Sequence, residues 1–204
     1  MKLIDISQEV LSCKVFPGDD SPKGELVRSM EDGELYNLSM LSMCAHNGTH
    51  IDAPFHFINA GKTVDKMPLE AFVGDCFVAR HAGDVSAEDA REILKKAETA
   101  GAKDRILIAG KAMVTLEAAE VFAQVGIKLL GNESQTVGPE NAPMAVHKVL
   151  LGKEIVLLEG VVLSEVSEGK YFLSAAPLNF AGFDGAPCRA YLMERGENET
   201  IILH

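Results

Sequence analysis

Apolar positions along the chain follow two rhythms, and the change between them marks how it is organised. Residues 35–43, LYNLSMLSM, alternate in strand fashion. Leu35, Asn37, Ser39, Leu41 and Met43 fall on one side, and Tyr36, Leu38, Met40 and Ser42 on the other. Both sides are partly apolar, which predicts a central strand. Residues 2–5 form a short apolar start. Residues 15–24, VFPGDDSPKG, carry turn chemistry in two prolines, two glycines and two aspartates.

The middle of the chain changes period. CFVARH (76–81) reads as a strand, and SAEDAREILKKAETAG (86–101) as a helix. Ser86 is the N-cap, Asp89 follows three residues on, and Gly101 is the stop. RILIAG (105–110) is a buried strand. TLEAAEVFAQVG (115–126) is a second helix, capped by Thr115 and stopped at Gly126, and IKLLG (127–131) is the next strand. Strand, helix, strand, helix, strand at this spacing is a βαβαβ unit and predicts a parallel layer. Strands return at 154–160, 170–177, 189–194 and 200–204. The expectation is a single α/β domain, 1–204, with a mixed sheet around the βαβαβ unit.

Composition narrows the partners. The 204 residues suffice for a well-buried core, and 47% hydrophobic with 24% charged residues is ordinary for a globular chain. No apolar run is long enough to span a bilayer, and the acids in MKLIDISQEV come too early for a secretory signal, so a cytoplasmic protein is expected. Nineteen basic against thirty acidic residues give a net charge of −11. That disfavours nucleic acid and anionic membrane, which need a cationic footprint. A small-molecule substrate is the expected partner. Cys13, Cys44, Cys76 and Cys188 form no C-x-x-C pair and read as reduced, mostly buried thiols.

The chemistry concentrates in CAHNGTHIDAPFHF, residues 44–57, which holds three of the six histidines. The spacing is H-x3-H-x-D-x3-H. Gly48 and Pro54 oppose one continuous helix. In a strand His50 and Asp52 point the same way, and a tight bend at Gly48 brings His46 round to meet them. Two imidazoles and a carboxylate suit Zn²⁺, Mn²⁺ or Fe²⁺, provided the imidazoles are neutral and each has a partner fixing its tautomer. Asn47 and Thr49 read as loop-shaping residues. The competing reading is a polar loop without a ligand. No H-E-x-x-H helix, G-x-S-x-G elbow or Walker loop is present.

HNGTHIDAPFH resembles the H-x-G-T-H-x-D-x-P-x-H signature of the cyclase family that includes bacterial kynurenine formamidases and isatin hydrolases. VFPGD (15–19) resembles that family's aromatic-Pro-Gly-Asp loop. The segments 115–131, 145–162 and 176–192 resemble its second helix and strand, its His…Glu stretch and its closing Gly-x-Asp-Gly segment. The resemblance implies a swivelling β/β/α fold and a metal-dependent hydrolase of a small amide, formamide or cyclic amide. It implies two divalent metals per subunit, Zn or Mn. His46 and His50 would bind one, His147 the other, with Asp52 and Glu159 bridging and His56 moving protons. It further implies a homodimer or higher homo-oligomer with neighbouring-chain residues near the site.

On their own, His147 reads as a surface or satisfied histidine, while Glu159 closes the apolar run IVLLE, where a strand end presents a carboxylate. The family's loop tryptophan is Phe16 here, in a chain with no tryptophan, and Phe16 remains the substrate-binding candidate. The segment 131–143 departs from the family pattern; Glu133 matches its acidic place loosely, and Gln135 is a weak substrate candidate. His81 and His204 read as structural or solvated. Asp184 is explained by an Asp-Gly turn without function, Arg189 is expected to pair with a buried acid, and Lys111 lies at a strand end. The alternative function is a non-catalytic metal- or metabolite-binding protein that keeps the fold.

Overall fold

The computed structural model describes residues 1–194; the expected strand at 200–204 and His204 lie outside the described residues. The elements in chain order are β1 (Lys2–Asp5), β2 (Lys23–Arg28), β3 (Leu38–Ser42), β4 (His50–Asp52), α1 (Leu69–Phe72), β5 (Val73–Arg80), β6 (Gly83–Val85), α2 (Ala87–Thr99), β7 (Arg105–Ala109), β8 (Ala112–Val114), α3 (Leu116–Val125), β9 (Leu129–Asn132), α4 (Met144–Leu151), β10 (Val156–Glu159), β11 (Gly169–Ser174), β12 (Gly185–Pro187) and β13 (Tyr191–Glu194).

The expected βαβαβ unit is β5-α2-β7-α3-β9, and its strands pair in parallel. The helices begin where their side chains satisfy the free N–H groups of the first turn. Ser86 and Asp89 form a reciprocal capping box on α2, and Thr115 accepts from the Ala118 N–H on α3. Gly126 ends α3 in the left-handed conformation, at φ 73°, and donates to the Phe122 carbonyl. Helix α4 then returns the chain to β10, which joins β9 in parallel.

One nine-stranded sheet results, in the order β1-β13-β11-β5-β7-β9-β10-β4-β12. Its centre is parallel and both flanks are antiparallel. The alternation of strand side chains builds two cores. Ile106, Ile108, Leu130 and Leu157 face α2, α3 and α4 with Phe122 and Leu150. Leu107, Leu129, Val156 and Leu158 face the opposite way, with Ile51, Phe72 and Leu173. This mixed α/β architecture is the one the sequence predicts.

Two expectations need correction. The strand in 35–43 is not central: β3 pairs only with β2 in a separate two-stranded ribbon, and every residue of both strands is exposed. Alternation shows that both faces carry apolar groups, but not whether this chain covers them. The thiols are also less buried than expected. All four are free, but only Cys76 is fully buried, where burial pushes its pKa up to about 12; the other three are half-buried. Among the described residues, no helix is long and apolar enough to cross a membrane.

Candidate metal centre

Strand β4 lies between β10 and β12, and this pairing builds the site. Its register sets His50 opposite Glu159 and Asp52 opposite Leu157 and Gly185. His50 and Asp52, two apart, point the same way, as a strand requires. The bend at Gly48 has φ +66°, a conformation open to glycine, and it turns His46 back onto the strand. His46 Nδ1 then stands 2.8 Å from Asp52 Oδ1, and His50 Nε2 stands 3.3 Å from the same oxygen. The bend inferred from the sequence is therefore present. Asn47 and Thr49 shape this loop: Asn47 accepts from the Cys44 N–H, and the Thr49 hydroxyl accepts from Gln8 N–H and donates to the Gly160 carbonyl.

His147 and Glu159 arrive from other elements. His147 is buried on α4, an element with no side-chain cap that begins after Pro143. Its Nε2 is 3.2 Å from Glu159 Oε1 and 3.5 Å from Asp52 Oδ2. Glu159 Oε2 is 3.6 Å from His50 Nε2, and its Oε1 also accepts from the Val137 N–H. Each carboxylate thus turns one oxygen toward His50 and the other toward His147.

All three histidines are anchored through the opposite ring nitrogen. His50 Nδ1 meets the Gly48 carbonyl at 3.0 Å, and His147 Nδ1 meets the Pro143 carbonyl at 2.9 Å. His46 Nε2 meets Asp184 Oδ2 at 2.8 Å. Acceptors at those positions fix the proton there and leave the inward nitrogen as a lone pair when the ring is neutral. That is the partner a metal-binding imidazole needs.

The electrostatics point the same way. Burial lowers the histidine pKa values, but the adjoining carboxylates outweigh it. His46 is raised to about 11 by Asp52 and Asp184, His147 to about 10 and His50 to about 9 by Asp52 and Glu159. Burial disfavours the Asp52 carboxylate, yet His46, His147 and His50 hold it well below the usual range. Without a cation the site gathers protons to balance its acids. Asp52 Oδ2 is buried and has no hydrogen-bond donor. A buried carboxylate oxygen left without a partner costs stability, and a cation between it and His147 Nε2 removes that cost. The donor set therefore fits a divalent metal. The ligand atoms of His50, Asp52 and Glu159 lie within 4.8 Å of one another, as do those of His46, Asp52 and His56.

His46, His50, His56, His147 and Glu159 line a cleft of about 400 Å³ together with Phe16, Phe57, Gln135, Thr136 and Asp184, while Asp52 is buried and not part of the lining. Phe16 is where the sequence placed it. Phe57, Thr136 and Asp184 were not expected. Phe57 lies edge-on to His56, with ring centres 4.5 Å apart, and 4.7 Å from the His147 ring. Thr136 Oγ1 is buried without a partner.

Asp184 corrects the reading of a turn without function. Its Oδ2 accepts from both His46 Nε2 and His56 Nδ1, at 2.8 and 3.0 Å. Those two hydrogen bonds hold its carboxyl well below the ordinary aspartate range. Only the family-like closing segment around Gly-Phe-Asp-Gly marked it in the sequence.

Of the remaining candidates, Gln135 lines the cleft, whereas Glu133, His81, Lys111 and Arg189 are not among its lining residues. Glu133 accepts from the Gly110 and Leu163 N–H groups and so ties the end of β7 to the loop after β10. The Gln135 amide, turned to satisfy both its ends, donates to the Lys14 and Gly48 carbonyls. His81 Nε2 meets the Asp84 carbonyl. Lys111 is exposed, outside the cleft-lining residues. Arg189 does pair with an acid, but Asp5 is exposed rather than buried.

Residues 4–139 match the family model described as Putative cyclase. The chain belongs to the cyclase family. Kynurenine formamidase of Salinibacter ruber is 33% identical over 208 residues, covering 95% of this chain and 98% of its own. Kynurenine formamidase of Erythrobacter litoralis is likewise 33% identical, covering 95% and 94%. A solved structure described as a potential metal-dependent hydrolase with cyclase activity superposes with a TM-score of 0.79 at 27% identity, covering 96% of this chain and 98% of that one. His147, Glu159 and Asp184 lie beyond the segment the family model matches, but within the span shared with these relatives.

Proposed function

We propose that the protein is a metal-dependent hydrolase of a small amide, formamide or cyclic amide, cleaving a C–N bond that is not a peptide bond. The observation that carries this reading is the division of oxygens. Asp52 and Glu159 each face His50 with one oxygen and His147 with the other. Such carboxylates would hold divalent metal, two ions per subunit in this reading, together with the imidazoles of His46, His50 and His147. Imidazole with carboxylate suits Zn or Mn. Bound there, the metal supplies Lewis acidity toward a carbonyl and lowers the pKa of water toward roughly 7.

The chain's own residues do the rest. Glu159 and Asp52 carry the negative charge that holds the cations. His56 has Nδ1 committed to Asp184, so Nε2 is the nitrogen that takes a proton from attacking water and returns it to the leaving nitrogen. Phe16 and Phe57 give the cleft apolar walls for a flat substrate. The two kynurenine formamidase relatives favour an aryl formamide; Phe16 offers a smaller stacking face than tryptophan.

The assembly we propose is a homodimer in which the β2–β3 ribbon meets a second copy. A lone two-stranded ribbon is marginally stable in water. Leu26, Met30, Leu35, Tyr36, Met40 and Leu41 are each at least half exposed, Leu35 at 91%. A large exposed apolar surface of this kind is what an interface between copies covers. An open groove of about 880 Å³, lined by Leu41, Met43, Leu178, Phe180 and Phe183, continues this face. The four free cysteines accord with a reducing compartment, and we place the protein in the cytoplasm.

The test is a panel of formamides, lactams and lactones assayed with native protein and with His56→Ala. Turnover by the native protein, its loss in the variant and unchanged metal content in both support the reading. Bound metal with no hydrolysis of any panel member indicates a non-catalytic binder; loss of metal from His56→Ala makes His56 a ligand instead.

A further inference from the structure

We propose that Asp184 is a positioning residue that sets the tautomer and orientation of His56 while anchoring His46, so that one carboxylate oxygen aligns the proton-transfer group with the metal-holding group. This rests on the reading of His56 given above.

Asp184 Oδ2 accepts from His56 Nδ1 at 3.0 Å and from His46 Nε2 at 2.8 Å. An oxygen that takes both bonds requires a proton on each of those nitrogens. Neutral His56 then carries its proton on Nδ1 and presents the Nε2 lone pair, the form a general base needs. The same oxygen leaves His46 with Nδ1 facing Asp52, as metal binding needs. The two rings hang from this oxygen as stacked plates, with centres 4.0 Å apart and planes at 30°. Phe57 closes the other contact of His56, edge-on at 4.5 Å.

The backbone presses Asp184 into place from both sides. Its carbonyl accepts from the Ala53 N–H at 2.8 Å, the residue immediately before the turn Pro54–His56 that carries His56. The preceding Phe183 carbonyl accepts from Val64 N–H. The following Gly185 pairs with Asp52 on β4. A Cβ at Gly185 would come within 2.7 Å of His46 Cε1 and 2.5 Å of the Ile51 carbonyl oxygen. The absence of a side chain there is what lets β12 approach His46 closely enough for the hydrogen bond.

The experiment compares native protein with Asp184→Ala and Asp184→Asn. Long-range proton–nitrogen spectra of the metal-free proteins, with His56 neutral, report its tautomer independently of catalysis. Native His56 is expected to hold its proton on Nδ1. Asp184→Ala should move it to Nε2, and Asp184→Asn, which keeps an acceptor oxygen, should retain Nδ1–H. At saturating metal, Asp184→Ala should lower kcat by about 10–100-fold with little change in KM, and Asp184→Asn should recover part of that loss. An Nε2–H tautomer in native protein, or an unaltered tautomer in Asp184→Ala, would overturn the proposal. So would full kcat in Asp184→Ala when His56→Ala is inactive. A shifted tautomer in Asp184→Ala combined with full activity in His56→Ala would instead leave the positioning intact and remove the proton-transfer role of His56.

Discussion

His50 and Glu159 face each other across the antiparallel pairing of β4 with β10, and their side chains come within 3.6 Å. Both are buried. Strand pairing, rather than a flexible loop, therefore fixes the distance between two of the groups proposed to hold metal. Asp52 lies on β4 itself, and His147 reaches the site from α4, its ring oriented by the hydrogen bond of its Nδ1 to the Pro143 carbonyl. A site of this kind is organised before any cation arrives.

The protonation of the site gives a signed dependence on pH. His46, His50 and His147 have folded-state pKa values raised from 6.5 to about 11, 9 and 10. In metal-free protein their contribution to stability is complete below about pH 6.5 and fades as pH rises through 9 to 11. Asp52 and Asp184 are depressed, so theirs is present above about pH 4 and lost on acidification. Metal binding needs neutral imidazoles and releases their protons. Melting temperatures with chelator should fall from pH 6.5 to 8.5, while the rise in Tm caused by added Zn or Mn should grow over the same range. A metal-induced shift that shrinks with pH would contradict this protonation scheme.

Gly185→Ala tests how tightly the sheet is closed over the site. The added methyl group meets His46 and the Ile51 carbonyl closer than real contacts allow. Overpacking of this kind costs about 1–3 kcal/mol. Chemical denaturation should show that loss, and activity per folded molecule should fall further because His46 is displaced. Native stability and native turnover in this variant would show that β12 does not constrain the site.

The ribbon predicts association. Sedimentation of native protein should give a dimer or larger homo-oligomer, and Leu35→Glu with Met40→Glu should give monomers that keep their secondary structure. A native monomer, or a double variant that still dimerises, would show that this face is not the interface.

The legible part of the fold was the part with local signals. Ser86, Asp89, Thr115 and Gly126 mark helix ends through chemistry a few residues long, and β7 is a continuous apolar run. Helix α4 lacks such marks: it is eight residues long, follows a proline and has no side-chain cap. The ribbon was misplaced because its apolar alternation matches that of a buried strand, while the surface it would cover is not in this chain's own core. In the site, His46, His50, Asp52 and His56 share one short segment and could be weighed together. Asp184 could not, because its hydrogen bond to His56 spans 128 positions and an Asp-Gly pair already has a sufficient local explanation in turn chemistry.

The most direct test of the metal centre is anomalous diffraction from a crystal grown with Zn or Mn. Two peaks are expected in the cleft, one beside His46, His50, Asp52 and Glu159 and the other beside His147, Asp52 and Glu159. A fully loaded crystal with no peak between these side chains, or with its metal bound elsewhere, would contradict this arrangement.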